Sequence, residues 1–216
     1  MVFLYSSNNK GGLWERSYEK LQGEFNNMKS TLRDINRLDI LEIGGRRYGY
    51  PQKIVYGNFH KLREINYESF RQGVFGQAID FFSLVLQNLD RTIARKFIGR
   101  AKNFWISADT AGIWYDKGLI IQDFPEVIIV QDSRGIQKKE FDLNPKKLED
   151  QLSSHEESEV IFSSDGRIRF APYGFKTREL SFEELAVNAG FIAMVGNKIT
   201  AEKFADALAH SELKSF

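Results

Sequence analysis

After Ala101 the chain switches from a helical to a strand-like hydrophobic pattern, and that switch limits what it can fold into. From Phe70 to Ala101 the apolar residues (Phe70, Val74, Phe75, Ala78, Ile79, Phe81, Phe82, Val85, Leu86, Leu89, Ile93, Ala94, Phe97, Ile98, Ala101) recur mostly at steps of three, four and one. That is the spacing of a wide helical stripe. The runs FWISA, GIWYDKG, LIIQDF, EVIIV and IQKKEFDL then follow, up to Leu143, and read as short strands parted by turns. A helix feeding a β-meander is the expectation.

Asn66 is placed to cap this helix, with Glu68 in its first turn, where negative charge meets the helix dipole favourably. Gly73, Gly76 and Gly99 interrupt the stripe, and each costs about 1 kcal/mol against alanine inside a helix. The stripe therefore forms either one long helix over 67–102 that bends near its glycines, or two helices meeting near Asn88. Its charge-free runs, 73–79 and 81–89, are too short to cross a bilayer. A Phe-rich helix of this kind belongs in a core.

The flanks supply the remaining elements. VFLYSS (2–7) reads as a strand and 13–38 as an amphipathic helix. Residues 38–59 read as a hairpin turning at Gly44-Gly45, with Pro51 marking an edge strand. Asn144-Pro145 opens a short helix, and the polar, acidic stretch 153–159 reads as a loop. Residues 159–175 form a second hairpin around Asp165-Gly166. Ser181 and Glu184 make a capping box for a helix that stops at Gly190, and Thr200 caps the last helix. This order defines an α+β fold. A largely antiparallel sheet, two hairpins plus a meander, packs against the long Phe-rich central helix and several shorter helices. It implies one domain over 1–216, with 144–216 as a candidate sub-lobe.

The chain has no cysteine, which excludes disulfides, thiolate metal sites and a cysteine nucleophile. Its first residues lack the basic and apolar regions of a signal peptide, so a cytoplasmic protein is expected. Net charge is +1 overall but unevenly spread. Residues 1–108 carry 17 Lys and Arg against 10 Asp and Glu, a net of +7, and residues 109–216 carry 13 against 19, a net of −6. Such polarity suits a polyanion partner or halves that attract each other and self-associate.

Candidate chemistry is sparse. His60, His155 and His210 stand apart, with no partner at ligand spacing. No phosphate-binding glycine motif occurs. Asp109, Asp116 and Asp123, with Glu126 and Asp132, fall at strand ends, where carboxylates from neighbouring strands can hold Mg²⁺. Turns also collect aspartate for local backbone bonding, and the turns of a meander alternate between its two ends. The basic residues Arg46, Arg47 and Lys53 on the first hairpin, which lie among Tyr48, Tyr50 and Tyr56, and Arg91, Arg95, Lys96 and Arg100 on the central helix suit a nucleic-acid backbone. A solvated helix face explains the same residues.

The sequence favours a non-enzymatic binding or assembly protein without a cofactor. Nucleic acid or another polyanion on the basic N-terminal half is the first partner considered. Self-association or another protein partner is the second, and a membrane is not expected. The catalytic alternative is a Mg²⁺-dependent hydrolase or nuclease using the meander carboxylates.

Overall fold

A computed structural model describes residues 38–43, 46–51, 72–101 and 108–211. The expected strand at 2–7, the helix at 13–38 apart from Leu38, the Asn66 cap and Lys53 lie outside these residues. The chain divides into two compact units, one comprising Ser6–Gln72 and the other formed in the main by Gly73–Phe216.

In the first unit, β1 (Leu38–Ile43) pairs antiparallel with β2 (Arg46–Pro51), with Ile43 opposite Arg46 and Leu38 opposite Pro51. Pro51 thus ends its strand, where a missing backbone donor is tolerated. The hairpin expected from Gly44-Gly45 is formed.

The second unit opens with the Phe-rich stripe, which makes two helices, α1 (Phe75–Leu86) and α2 (Thr92–Ala101). Asn88 marks the break. Its side chain donates to the Leu84 carbonyl at 2.8 Å and its N–H to Val85 O at 3.1 Å, so local bonding competes with a continued helix. Phe81, Phe82 and Phe97 meet across the break, with the Phe81 and Phe97 rings 4.6 Å apart edge to face.

Five antiparallel strands follow in spatial order β3-β4-β9-β8-β7: β3 (Thr110–Tyr115), β4 (Gly118–Asp123), β7 (Leu152–Glu157), β8 (Val160–Ser163) and β9 (Ile168–Pro172). Between β4 and β7 the chain makes β5 (Val127–Gln131), β6 (Gln137–Phe141) and the short helix α3 (Pro145–Glu149). Asn144 caps α3 by accepting from Lys146 N–H and Lys147 N–H. The candidate sub-lobe 144–216 shares a sheet with residues 110–123, because β9 lies beside β4.

The strand run expected as a meander splits after β4. Phe124 adopts φ 51° and donates its N–H to Asp109 O, and the buried Pro125 has no N–H to offer. The chain therefore leaves the sheet at this corner, and β5 with β6 forms a two-stranded sheet of its own.

The stretch 153–159 is not the loop expected from its polarity: most of it is the edge strand β7, bulged between Leu152 and Glu156. Charge and a bulge are how sheets blunt an edge. Ser153 Oγ donates to Phe162 O at 2.6 Å within this pairing.

Three helices close the chain: α4 (Phe182–Val187), α5 (Ala189–Val195) and α6 (Lys198–His210). Ser181 and Glu184 form the expected capping box of α4. Gly190, expected to stop that helix, sits inside α5 instead. The cap between them is Asn188, whose Oδ1 accepts from Phe191 N–H. Gly190 is needed for packing, since a Cβ there would meet the Phe175 ring at 2.3 Å. Asn197, not Thr200, caps α6 and accepts from Thr200 N–H at 2.7 Å.

Both faces of the five-stranded sheet are covered, and β4 shows the alternation most clearly. Leu119 and Ile121 point into a core with Val160, Phe162, Ala171, Ile79 of α1, Ile192 of α5 and Ala201 of α6. Ile120 points the other way, with Ile113, Ile168 and Leu148 of α3. Each fully buried Ile or Leu contributes about 1.5–3 kcal/mol.

Candidate interaction surface

The buried polar centre of the second unit is built on β9. Arg169 lies two residues before Ala171 and so shares its helix-facing side. Its guanidinium grips the Asp123 carboxylate, Nη1 to Oδ2 at 2.6 Å and Nη2 to Oδ1 at 2.8 Å. Nε donates to Ala193 O of α5 at 2.6 Å, and Nη1 also to Gly166 O at 3.0 Å. Thr110 Oγ1 donates to Asp123 Oδ1 at 2.6 Å and accepts from Phe75 N–H at 2.8 Å, which ties in the start of α1. Residues 110, 123 and 169 are all buried. This network joins β3, β4, β9, α1 and α5 with both ends of the ion pair satisfied, the condition under which a buried pair is tolerated.

The five carboxylates considered as metal ligands are not gathered into one site. Asp116 lies in the β3–β4 turn and Asp123 at the far end of β4, separated by about 16 Å of strand. Asp109 is buried near Asp123, its carbonyl accepting from Phe124 N–H, while the Asp123 carboxylate is committed to Arg169 and Thr110. Glu126 pairs with Lys147 at 3.5 Å. Asp132 bonds its own turn. Among the described residues no group of three His, Asp or Glu side chains is arranged to hold a metal.

The basic residues fall in both units. Arg46 and Arg47 lie on β2, opposite Ile43 and Glu42. Arg91, Arg95 and Lys96 are exposed at the start of α2, and Arg100 lies near its end. Because the stripe breaks at Asn88, Arg91 precedes a helix N-terminus and does not gain from a C-terminal dipole.

The sequence reading placed strands at EVIIV and IQKKEFDL but not their separation from the main sheet or their exposure: Val127 and Ile128 are more than a third exposed, Ile129 is 66% exposed, and Ile136 beyond the strand is exposed too. The signal was present in β6, where Lys138, Lys139 and Glu140 stand opposite Val130, Ile129 and Ile128. A strand pair with charge facing the apolar run on both sides has no buried face.

The hairpin is stiff at both ends. At its tip Asp132 Oδ1 accepts from Arg134 N–H and Ile136 N–H, each at 2.9 Å, and Arg134 Nη2 lies 3.2 Å from Oδ2. These bonds, that of Ile136 N–H first, hold the Asp132 carboxyl below the usual carboxylate range. At its base Asp142 N–H donates to Glu126 O, Lys147 pairs with Asp142, and Leu143 packs beside Leu148. A lone two-stranded hairpin is marginal in water, so these anchors are what keep it formed.

An aromatic cluster lies at the edge of the core, with only Tyr173 exposed. Trp114 stacks on Tyr173 and on Phe175, with centroids 6.0 and 5.6 Å away, and Tyr173 donates its hydroxyl to Tyr115 O at 2.6 Å. No helix among the described residues is long and apolar enough to cross a membrane. Comparison of the chain with protein-family models, curated proteins and solved structures finds no match.

Proposed function

We propose that this is a non-catalytic binding or assembly protein whose working surface is the β5–β6 hairpin, and that its partner is a protein chain. One observation carries this reading: an anchored hairpin, a two-stranded sheet of its own, presents Val127, Ile128 and above all Ile129 to solvent. Exposed apolar clusters of this kind mark interaction sites or aggregation liabilities. Braced ends and flanking charge favour the first. Replacing Gln131, at the end of β5, by the photo-crosslinking residue p-benzoylphenylalanine in the full chain tests it. Irradiation in a cell extract should join the hairpin to a protein chain, whereas the same residue at exposed Lys203 on α6 should not. Crosslinks to nucleic acid alone, or none, would overturn the reading.

A second reading keeps a polyanion as partner. It is favoured by Arg91, Arg95 and Lys96, exposed together at the start of α2, where the helix dipole gives cations no benefit. Binding of this kind weakens steeply with salt. Alanine at Arg95 and Arg100 should lower both the affinity for single- or double-stranded nucleic acid and the salt slope. Unchanged binding in that double variant would remove this surface.

A further inference from the structure

The turn between β7 and β8 is built against the preferences of its residues. Glu157 pairs with Val160, so the loop holds only Ser158 and Glu159, and both take positive φ, 50° and 67°. A two-residue loop with positive φ at both positions is a type I′ turn, which asparagine and glycine enter readily. Serine and glutamate do not, because their Cβ crowds the backbone in the left-handed region. The turn therefore stores strain that its opening releases.

The strand leading into this turn is loosely held. β7 is the outermost strand of its sheet and has β8 as its one neighbour there. Leu152 pairs with Ser163 and Glu156 with Ile161, so residues 153–155 stand against Phe162 alone. Inside that bulge the Phe162 carbonyl is met by the Ser153 hydroxyl, and His155 N–H turns back to Ser153 Oγ at 3.2 Å. Side chain has replaced ladder at this point. β8 is anchored better: Val160 and Phe162 are buried in the core with α5 and α6, and β9 pairs along its other side.

A bond from outside the sheet holds the strained tip down. Glu157 Oε1 accepts from Lys198 N–H at 3.0 Å, in the first turn of α6. That N–H has no acceptor within its own helix, and a carboxylate there meets the positive end of the helix dipole.

We propose that β7 is a strap. Glu157 clasps it to α6, and when the clasp opens the strained turn unwinds and β7 leaves the sheet, while β8, β9 and β4 stay folded. In the open state β8 becomes the edge of the sheet.

Amide hydrogen exchange of the purified full chain, followed by NMR, tests the strap in three forms: wild type, Glu157→Ala, and Ser158→Asn combined with Glu159→Gly. The reporters are the amides of Glu157 and Val160, which close the turn. In the wild type they should exchange at least about tenfold faster than the protected amides of β4 and β9. Glu157→Ala removes the acceptor of Lys198 N–H and should speed the reporters by a further factor of about ten, with β4 and β9 unchanged. The Asn-Gly turn relieves the strain and should slow them by about tenfold. Reporters no faster than β4 and β9 in the wild type, or unchanged by the Asn-Gly turn, would overturn the strap. So would a Glu157→Ala effect spread evenly over the sheet, or a Glu157→Ala chain that fails to fold, since the clasp would then hold the whole unit.

Discussion

Arg169 is buried on a strand, which for this residue type requires that its charge and its donors be met. Asp123, Ala193 O and Gly166 O meet them. Arg169→Met should therefore destabilise the chain by about 3–5 kcal/mol in urea denaturation, because it leaves Asp123 uncompensated. Adding Asp123→Leu should recover part of that loss; a double variant as unstable as the sum of the singles would show that the pair is not coupled. Thr110→Val keeps the shape but removes the hydroxyl that Asp123 and Phe75 N–H share, and should cost about 1–3 kcal/mol. None of this network was legible in the sequence. Asp123 read as a metal ligand because its position at a strand end is visible, while the arginine 46 residues later that claims it is not.

Elements were read better where the deciding bonds are local. The Ser181 capping box, the Asn144-Pro145 start and the hairpins at Gly44-Gly45 and Asp165-Gly166 depend on neighbours a few residues away, and all are formed. The β7 edge depends on a distant partner, and composition alone read it as a loop; α5 packs into the core with residues far off in sequence, and a helix ending at Gly190 was expected in its place. The hairpin tip offers a local test. Because Asp132 is held below the ordinary carboxylate value of about 3.9, its contribution is fully present above that value and is lost only as pH falls through the lower, folded one. Amide resonances of Arg134 and Ile136 should titrate with a midpoint below the ordinary range. A midpoint within it would show that the tip is not braced as described. Gly76 tests the packing of α1 on α5: a Cβ there would lie 2.0 Å from Val195 O, so Gly76→Ala should cost about 1–3 kcal/mol of stability in urea denaturation.

At the scale of the whole molecule, the charge polarity that stood out in the sequence has a nearer counterpart in the hairpin. There neutral β5 lies between an acidic and a basic group at each end. The α+β class, the antiparallel pairing and the central Phe-rich helices follow from periodicity and turns. The exposure of the β5–β6 hairpin did not, because an exposed apolar strand and a buried one have the same composition. The central claim is that β5 and β6 form an anchored hairpin whose outward β5 edge is paired by none of the described residues. Amide hydrogen exchange of the full chain reads this residue by residue. Ile128 and Val130, which bond to β6, should be protected, and Val127, Ile129 and Gln131 should exchange fast. Outward amides protected as well as Ile128 and Val130 would contradict the account.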